Sequence, residues 1–487
     1  MRIRRTVLRL CLASTLLALP AVPEPSAASS RQETIFDATS YLLGDVTDAQ
    51  RRNRIHELAS MGVDTLRVLL VWRNLVPSPG ASGRPAGFSA ADPGGYPRNL
   101  WVGIDDLIRE ADARGLRVLL SVGSPIPDWA SAGGKSSVKQ PEPAEYRRLM
   151  TAIGRRYGGS FRPGGGGCVL SICPPGTEPP PPLPRVRYWS AWNEPNQDIF
   201  LQPQYRSGRP YAGRLYRRLF LAAQAGLDRS GHDRDPLLIA ETAPSGGRRS
   251  TDPVDFLRGV FCLDSGFHRS RRCAPLNARG WAHHPYSPGV APFHVSSNPG
   301  LVNMATLGRL ERALARAARA GATRRRLPVY ITEYGVQSVP DRRFGVSLRR
   351  QAEYLAISEH IAWRDRAVGS YGQYLMADDP PSYEFPFTTG LRLHSGRRKP
   401  AYRAFPLILA VQRRGRRVLV WGHLRPGVGS RRVEIRVRGG GRSGLLRTVT
   451  TSGRGYFSFR SAFRAGRRWR AVSSGQSGPW IRAYRYR

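Results

Sequence analysis

The sequence predicts an α/β protein: a (β/α)8 TIM barrel followed by a small C-terminal all-β, sandwich-like domain. Three observations carry this. From Glu33 to about Val411, short apolar runs alternate with helical stretches, the pattern of a parallel sheet with crossover helices. Two of those runs end in a carboxylate, Glu194 and Glu333, and the 139 residues between them leave room for three strand–helix units. From about Arg413 the texture changes to short alternating strands at hairpin spacing. The predicted division is 1–28 as a signal peptide, 29–411 as the barrel and 412–487 as the β-domain.

The bulk properties fit an exported chain. At 487 residues and 40% hydrophobic content there is material for a barrel and an extra domain. Arg2, Arg4, Arg5 and Arg9 precede an apolar run from Leu10 to Ala21, and Ser26-Ala27-Ala28 makes a cleavage site. That run is too short to span a bilayer comfortably, so no transmembrane segment is expected after signal removal. Four cysteines then remain, and pairing by proximity gives Cys168–Cys173 and Cys262–Cys273. Neither pair has metal-ligand spacing, so no metal site is expected there. The net charge of +41 comes almost wholly from arginine, 73 of 76 basic residues, scattered along every segment. This reads as a compositional bias rather than a specific nucleic-acid site, although it predicts nonspecific attraction to anionic polymers.

The elements follow in order. Glu33 to Phe36 is the first strand, and Ala49 to Met61 an amphipathic helix stopped by Gly62. Thr65 to Trp72 is a near-continuous apolar second strand interrupted by Arg67, which needs a carboxylate partner if buried. Residues 77–98 are a Pro/Gly/Ser-rich loop over the barrel mouth, and Leu116 to Val122 is strand three. Trp129 beyond it either stacks on a substrate ring or packs the loop. Gly164 to Pro184 is an insertion pinned by Cys168–Cys173. Strand four runs into Trp192-Asn193-Glu194-Pro195, stopped by a proline that cannot donate to a ladder. Leu237 to Thr242 is strand five, and its Glu241 either contacts substrate or pairs with an arginine. Strand six ends in His283, His284 and Tyr286; adjacent residues in a strand point to opposite sides, so the two histidines do not suggest a metal site. Strand seven carries Glu333, and Gly369 to Met376 is strand eight.

Two carboxylates at strand ends on the same face of a barrel suit glycoside hydrolysis with retention, which needs them roughly 5 Å apart. Trp192-Asn193-Glu194-Pro195-Asn196, Ile331-Thr332-Glu333-Tyr334-Gly335 and the pair His284/Tyr286 resemble the clan A glycoside hydrolases, the (β/α)8 enzymes that include family 5 cellulases and family 39 xylosidases. The resemblance covers roughly residues 33 to 411. It implies Glu333 as nucleophile, Glu194 as acid/base, Asn193 on the sugar's 2-hydroxyl, His284 and Tyr286 on substrate and nucleophile, and Arg67 beneath the nucleophile. It requires no cofactor. Many relatives place a tryptophan on strand eight as the floor of the sugar site; here Tyr374 or Met376 must serve.

A last barrel helix is expected over Tyr402 to Val411. The β-domain after it holds 20 arginines against Glu434 alone, which suggests a carbohydrate-binding module, one that adheres to anionic cell-wall polymers, or a simple structural appendage. On this reading the barrel closes without it, and truncation after Gln412 leaves turnover of a small glycoside within a few-fold, unless an apolar seam through Trp421 and Tyr456 couples the two domains. The alternative function is a non-catalytic carbohydrate- or wall-binding barrel.

Overall fold

The computed structural model describes residues 32–134, 136–164 and 180–485, so the N-terminal apolar run and the pair Cys168/Cys173 lie outside the described residues. Eight parallel strands close a barrel: β1 (Glu33–Asp37), β2 (Thr65–Val71), β3 (Arg117–Gly123), β4 (Tyr188–Ala191), β5 (Leu237–Thr242), β6 (Gly280–His283), β7 (Val329–Ile331) and β8 (Val368–Tyr374). Their order around the ring is sequential, and β1 closes it by pairing with both β2 and β8. The helices that return the chain are α1 (Thr39–Leu43), α2 (Asp48–Ser60), α3 (Val102–Asp112), α4 (Pro143–Arg156), α5 (Ala212–Asp228), α6 (Pro253–Val260), α7 (Leu307–Arg319), α8 (Leu348–Arg364) and α9 (Pro400–Ala404). The sequence reading did not see α6, a short helix opened by Pro253. Helix α2 shows why its bounds were legible: Thr47 and Gln50 form a reciprocal capping box, and Gly62 beyond it takes φ 77°.

The barrel interior is layered by the two-residue period of its strands. Ile35, Leu119, Tyr188, Leu238, Ala282 and Tyr330 form one buried apolar cluster. Two residues further along each strand the inward positions turn polar: Asp37, Ser121, Ser190, His284 and Thr332, all buried. Apolar residues thus plug the barrel, and polar ones floor its C-terminal mouth. Strand β5 is the exception. Its register against β6 shifts between Ile239 and Thr242, with Ala240 at φ 90° and Glu241 at φ 49°. This bulge brings Glu241, three residues after Leu238, into the polar layer.

The C-terminal domain is a sandwich of two sheets. One contains β9 (Leu407–Arg414), β10 (Arg417–Leu424), β13 (Tyr456–Ala462) and β17 (Tyr484–Arg485); the other contains β11 (Arg432–Arg438), β12 (Gly444–Thr450), β14 (Arg468–Ser473), β15 (Gln476–Ser477) and β16 (Ile481–Arg482). The expected helix over Tyr402 to Val411 is corrected here. Helix α9 ends at Ala404, and Leu407 to Arg414 is a strand straddling the expected boundary at 411/412. Strict alternation explains this: Leu407, Leu409 and Val411 enter the sandwich core, while Ile408 and Ala410 pack on the barrel core. The strand is therefore buried on both faces, one against the sandwich core and one against the barrel core. Among the described residues no helix is long and apolar enough to cross a membrane.

Candidate active site

Strand β4 delivers Glu194 through a turn of unusual backbone. Trp192 takes φ 71° and Glu194 φ 40°, conformations that cost side-chain-bearing residues energy and concentrate at functional sites. Three hydrogen bonds hold the turn. The Glu194 N–H donates to the Glu241 carbonyl at 3.0 Å, Trp192 Nε1 to the Phe200 carbonyl at 3.0 Å, and Asn196 Oδ1 accepts from the Ala243 N–H at 2.8 Å. The loops after β4 and β5 are thereby clasped together. Strand β7 delivers Glu333, and Gly335 two residues on is required by close approach: a Cβ there would stand 2.5 Å from the Tyr374 carbonyl oxygen.

Glu194 and Glu333 meet at His284. Oxygen atoms of the two carboxylates and a ring nitrogen of His284 all lie within 4.8 Å of one another, close enough to share a cation or to flank one sugar carbon. Glu333 is fixed at both oxygens: Arg67 Nη1 lies 2.7 Å from Oε1, and the Tyr286 hydroxyl donates to Oε2 at 3.0 Å. His284 Nδ1 is 2.8 Å from Glu194 Oε1 and 3.6 Å from Glu333 Oε2, while its Nε2 is 3.0 Å from Thr332 Oγ1. Burial opposes a charge on His284, but Glu333 and the hydrogen bond to Glu194 more than offset it and raise its pKa. Burial pushes the Tyr286 phenol far up, and Glu333 adds to this, so the ring keeps the proton it donates.

Arg67 is the hub beneath. It is fully buried and pairs with Asp37, Glu241 and Glu333, while its Nη2 donates to Asn193 Oδ1 at 2.7 Å. Burial disfavours its charge, yet the three carboxylates hold the guanidinium well above its ordinary pKa. Against burial, Arg67 pulls Glu241 below the usual carboxylate range. Asp37 is pushed up by burial, which Arg67 opposes and Glu333 reinforces.

The carboxylates open into a cleft of about 980 Å³ whose lining includes Asp37, Arg67, Asn193, Glu194, Tyr286, Glu333 and Tyr374. Of the residues expected at the site, two stand elsewhere. Trp129 packs edge-to-face on Trp72 (ring centroids 6.3 Å apart) and Phe88 (6.0 Å) and does not line the cleft. Glu241 is wholly buried and takes the Arg67-pairing role, with Ser121 donating to its Oε1 at 2.7 Å, so it has no surface for substrate. Tyr374 lines the cleft on β8, whereas Met376 is buried in the core. His283 packs as expected, its ring nitrogens 2.9 Å from Thr242 Oγ1 and 2.8 Å from the Val302 carbonyl, and burial lowers its pKa to about 3. Cys262 and Cys273 are disulfide-bonded in the loop after α6.

Sequence reasoning missed Asp37, Ser121 and Thr332. A signal existed for each, a polar residue inside or ending an apolar strand. Phe200, Phe344, Phe385 and Phe387 also line the cleft, but they sit on loops, where no periodicity marks a side chain's direction.

Several solved structures are similar to the chain. A glucosidase from Croceicoccus marinus aligns at 12% identity over 90% of this chain and 94% of that one, with a TM-score of 0.49. Bacteroides uniformis beta-glucuronidase 2 aligns at 12% identity over 93% of this chain and 46% of that one, with a TM-score of 0.45. GH5_18 from Streptomyces cattleya, solved in complex with GlcNAc, aligns at 16% identity over 77% and 79%, with a TM-score of 0.43. No known family model matches the chain, and no curated protein matches its sequence.

Proposed function

We propose that the protein is a secreted, retaining glycoside hydrolase that cleaves an O-glycosidic bond of a poly- or oligosaccharide or a glycoside by double displacement. The observation that carries the reading is the spacing of Glu194 and Glu333, whose oxygens approach within 4.8 Å. Retaining enzymes hold their carboxyls about 5–5.5 Å apart, and inverting ones leave room for a water at about 6.5–9.5 Å. Glu333, with Arg67 as counter-ion and Tyr286 as hydrogen-bond donor, attacks the anomeric carbon. Glu194 gives its proton to the departing glycosidic oxygen, then takes one from the water that frees the sugar. Asn193 Oδ1 is occupied by Arg67, which leaves its amide N–H groups for a sugar hydroxyl. This chemistry is carried by side chains throughout and calls for no cofactor. A 2-deoxy-2-fluoro glycoside with a good leaving group tests the reading: mass spectrometry of a digest should find the sugar on Glu333, and NMR of the first product should show the substrate's own anomeric configuration. Inverted product contradicts the proposal. Binding without turnover favours the carbohydrate-binding alternative.

Export and wall adhesion belong to the same proposal. The apolar N-terminal run and the Cys262–Cys273 bond support export. Adhesion is supported by arginines set directly opposite one another across β11 and β14, Arg436 with Arg470 and Arg438 with Arg468. Like charges so placed repel, and an anionic polymer relieves this. Arg438 and Arg470 also flank the Trp480 ring, at 4.6 and 5.8 Å. Retention on anionic wall material should fall steeply with salt in the intact protein, and Arg438→Ala with Arg470→Ala should weaken it.

A further inference from the structure

The walls of the cleft change character away from the carboxylates. Around Glu194 and Glu333 they are polar, from Arg67, Asn193 and Tyr286; the loops beyond add Phe200, Phe344, Phe385, Pro386 and Phe387 beside the polar Gln337, Asp341, Arg342, Arg343 and Glu384. Most of the large apolar side chains that the described residues leave exposed sit on loops following barrel strands. Three share the single loop after β8: Tyr383 (57% exposed), Phe385 (74%) and Phe387 (38%). Phe387 packs on Tyr374 and Tyr286, at 5.3 and 6.2 Å between ring centroids, so this apolar surface is continuous with the site. An exposed apolar patch at the mouth of a catalytic cleft marks a binding surface. A sugar chain can meet it only with its C–H faces, whereas an alkyl or aryl aglycone carries no hydroxyl that needs a partner there. A glycoside has one arm free of hydroxyls, its aglycone.

We propose, resting on the glycosidase reading above, that the substrate carries an apolar aglycone which lies against the phenylalanines of the cleft mouth. Glu194 protonates the glycosidic oxygen, the bond from the anomeric carbon to that oxygen breaks, and the aglycone leaves as an alcohol. The sugar stays on Glu333 until water replaces it.

The test is kcat/KM for methyl, butyl, hexyl and octyl glycosides of the sugar that an aryl-glycoside panel selects, below their micellar concentrations. A fully buried methylene raises kcat/KM about fourfold, so the octyl glycoside should exceed the methyl by tenfold or more. Phe385→Ala should reduce that ratio at least threefold. Val428→Ser, at an equally exposed apolar residue in the β-domain, should leave the ratio alone. Equal rates along the series, with a cello- or manno-oligosaccharide preferred to both ends, overturn the inference while leaving the glycosidase reading intact. No turnover of any glycoside overturns both.

Discussion

Glu194 and Glu333 bear the same functional group in different surroundings, and the difference separates their roles. Glu333→Ala should abolish turnover of every substrate. Glu194→Ala should keep activity on aryl glycosides with good leaving groups, which need little protonation, and azide should rescue it; equal, unrescuable loss in both contradicts the assignment. Tyr286→Phe removes one donor to the nucleophile and should lower kcat by about tenfold. His284 offers a pH test whose sign follows from its raised pKa. A raised folded value means that its charged form stabilises the protein fully below the unfolded pKa of about 6.5, and that this is lost as pH rises through the folded value. The Tm gap between wild type and His284→Asn should therefore be widest near pH 5 and narrow above pH 6.5. A constant gap from pH 5 to 9 would rule out a charged His284.

Among the elements, β5 shows how one inserted residue changes a side chain's task. Without the register shift at Ala240 and Glu241, the period of two would turn Glu241 away from Arg67. Gly335 constrains the mouth after β7, since any Cβ there meets the Tyr374 carbonyl and the Thr389 side chain. Gly335→Ala should shift Tyr374 out of place, cost about 1–3 kcal/mol of stability and lower activity more than its Tm loss explains. Activity and Tm measured together check this; a variant with normal kcat/KM would show that Tyr374 tolerates displacement.

Across the whole molecule, the barrel and β-domain share a buried seam. Glu359 of α8 accepts from Arg425 at 2.6 Å and lies 2.7 Å from His423 Nδ1, while Trp421 stacks on His360 at 5.1 Å between centroids. Truncation after Gln412 removes β10 and uncovers that seam, so the shortened chain should aggregate or melt far below the full-length protein. A soluble, cooperative barrel melting within a few degrees of the parent would disprove the coupling. The seam also sets an acid limit. Despite burial, Arg425 and His423 hold the Glu359 pKa at about 2. A depressed carboxylate contributes stability above its unfolded pKa, about 4.3, and loses it as pH falls toward the folded value. The Tm gap between wild type and Glu359→Gln should shrink from pH 5 toward pH 2.

The sequence by itself determined what depends on local periodicity and strand ends. Alternating strands and helices, Pro195 after Glu194, and the order Glu194, His284, Tyr286, Glu333 along the chain place those groups at one mouth of a barrel. Tyr374 was legible only as one of two candidates on β8, and the structure puts it on the cleft and Met376 in the core. Only the tertiary structure decided which side chains meet across the ring. Asp37, Arg67 and Glu241 come from β1, β2 and β5, and no spacing along the chain reports that three carboxylates share one guanidinium. Trp129 was ambiguous because an aromatic in a loop serves packing and stacking equally well until its neighbours, Trp72 and Phe88, are known. Leu407 to Val411 read as helix because a short, wholly apolar run has no period to betray a strand buried on both faces.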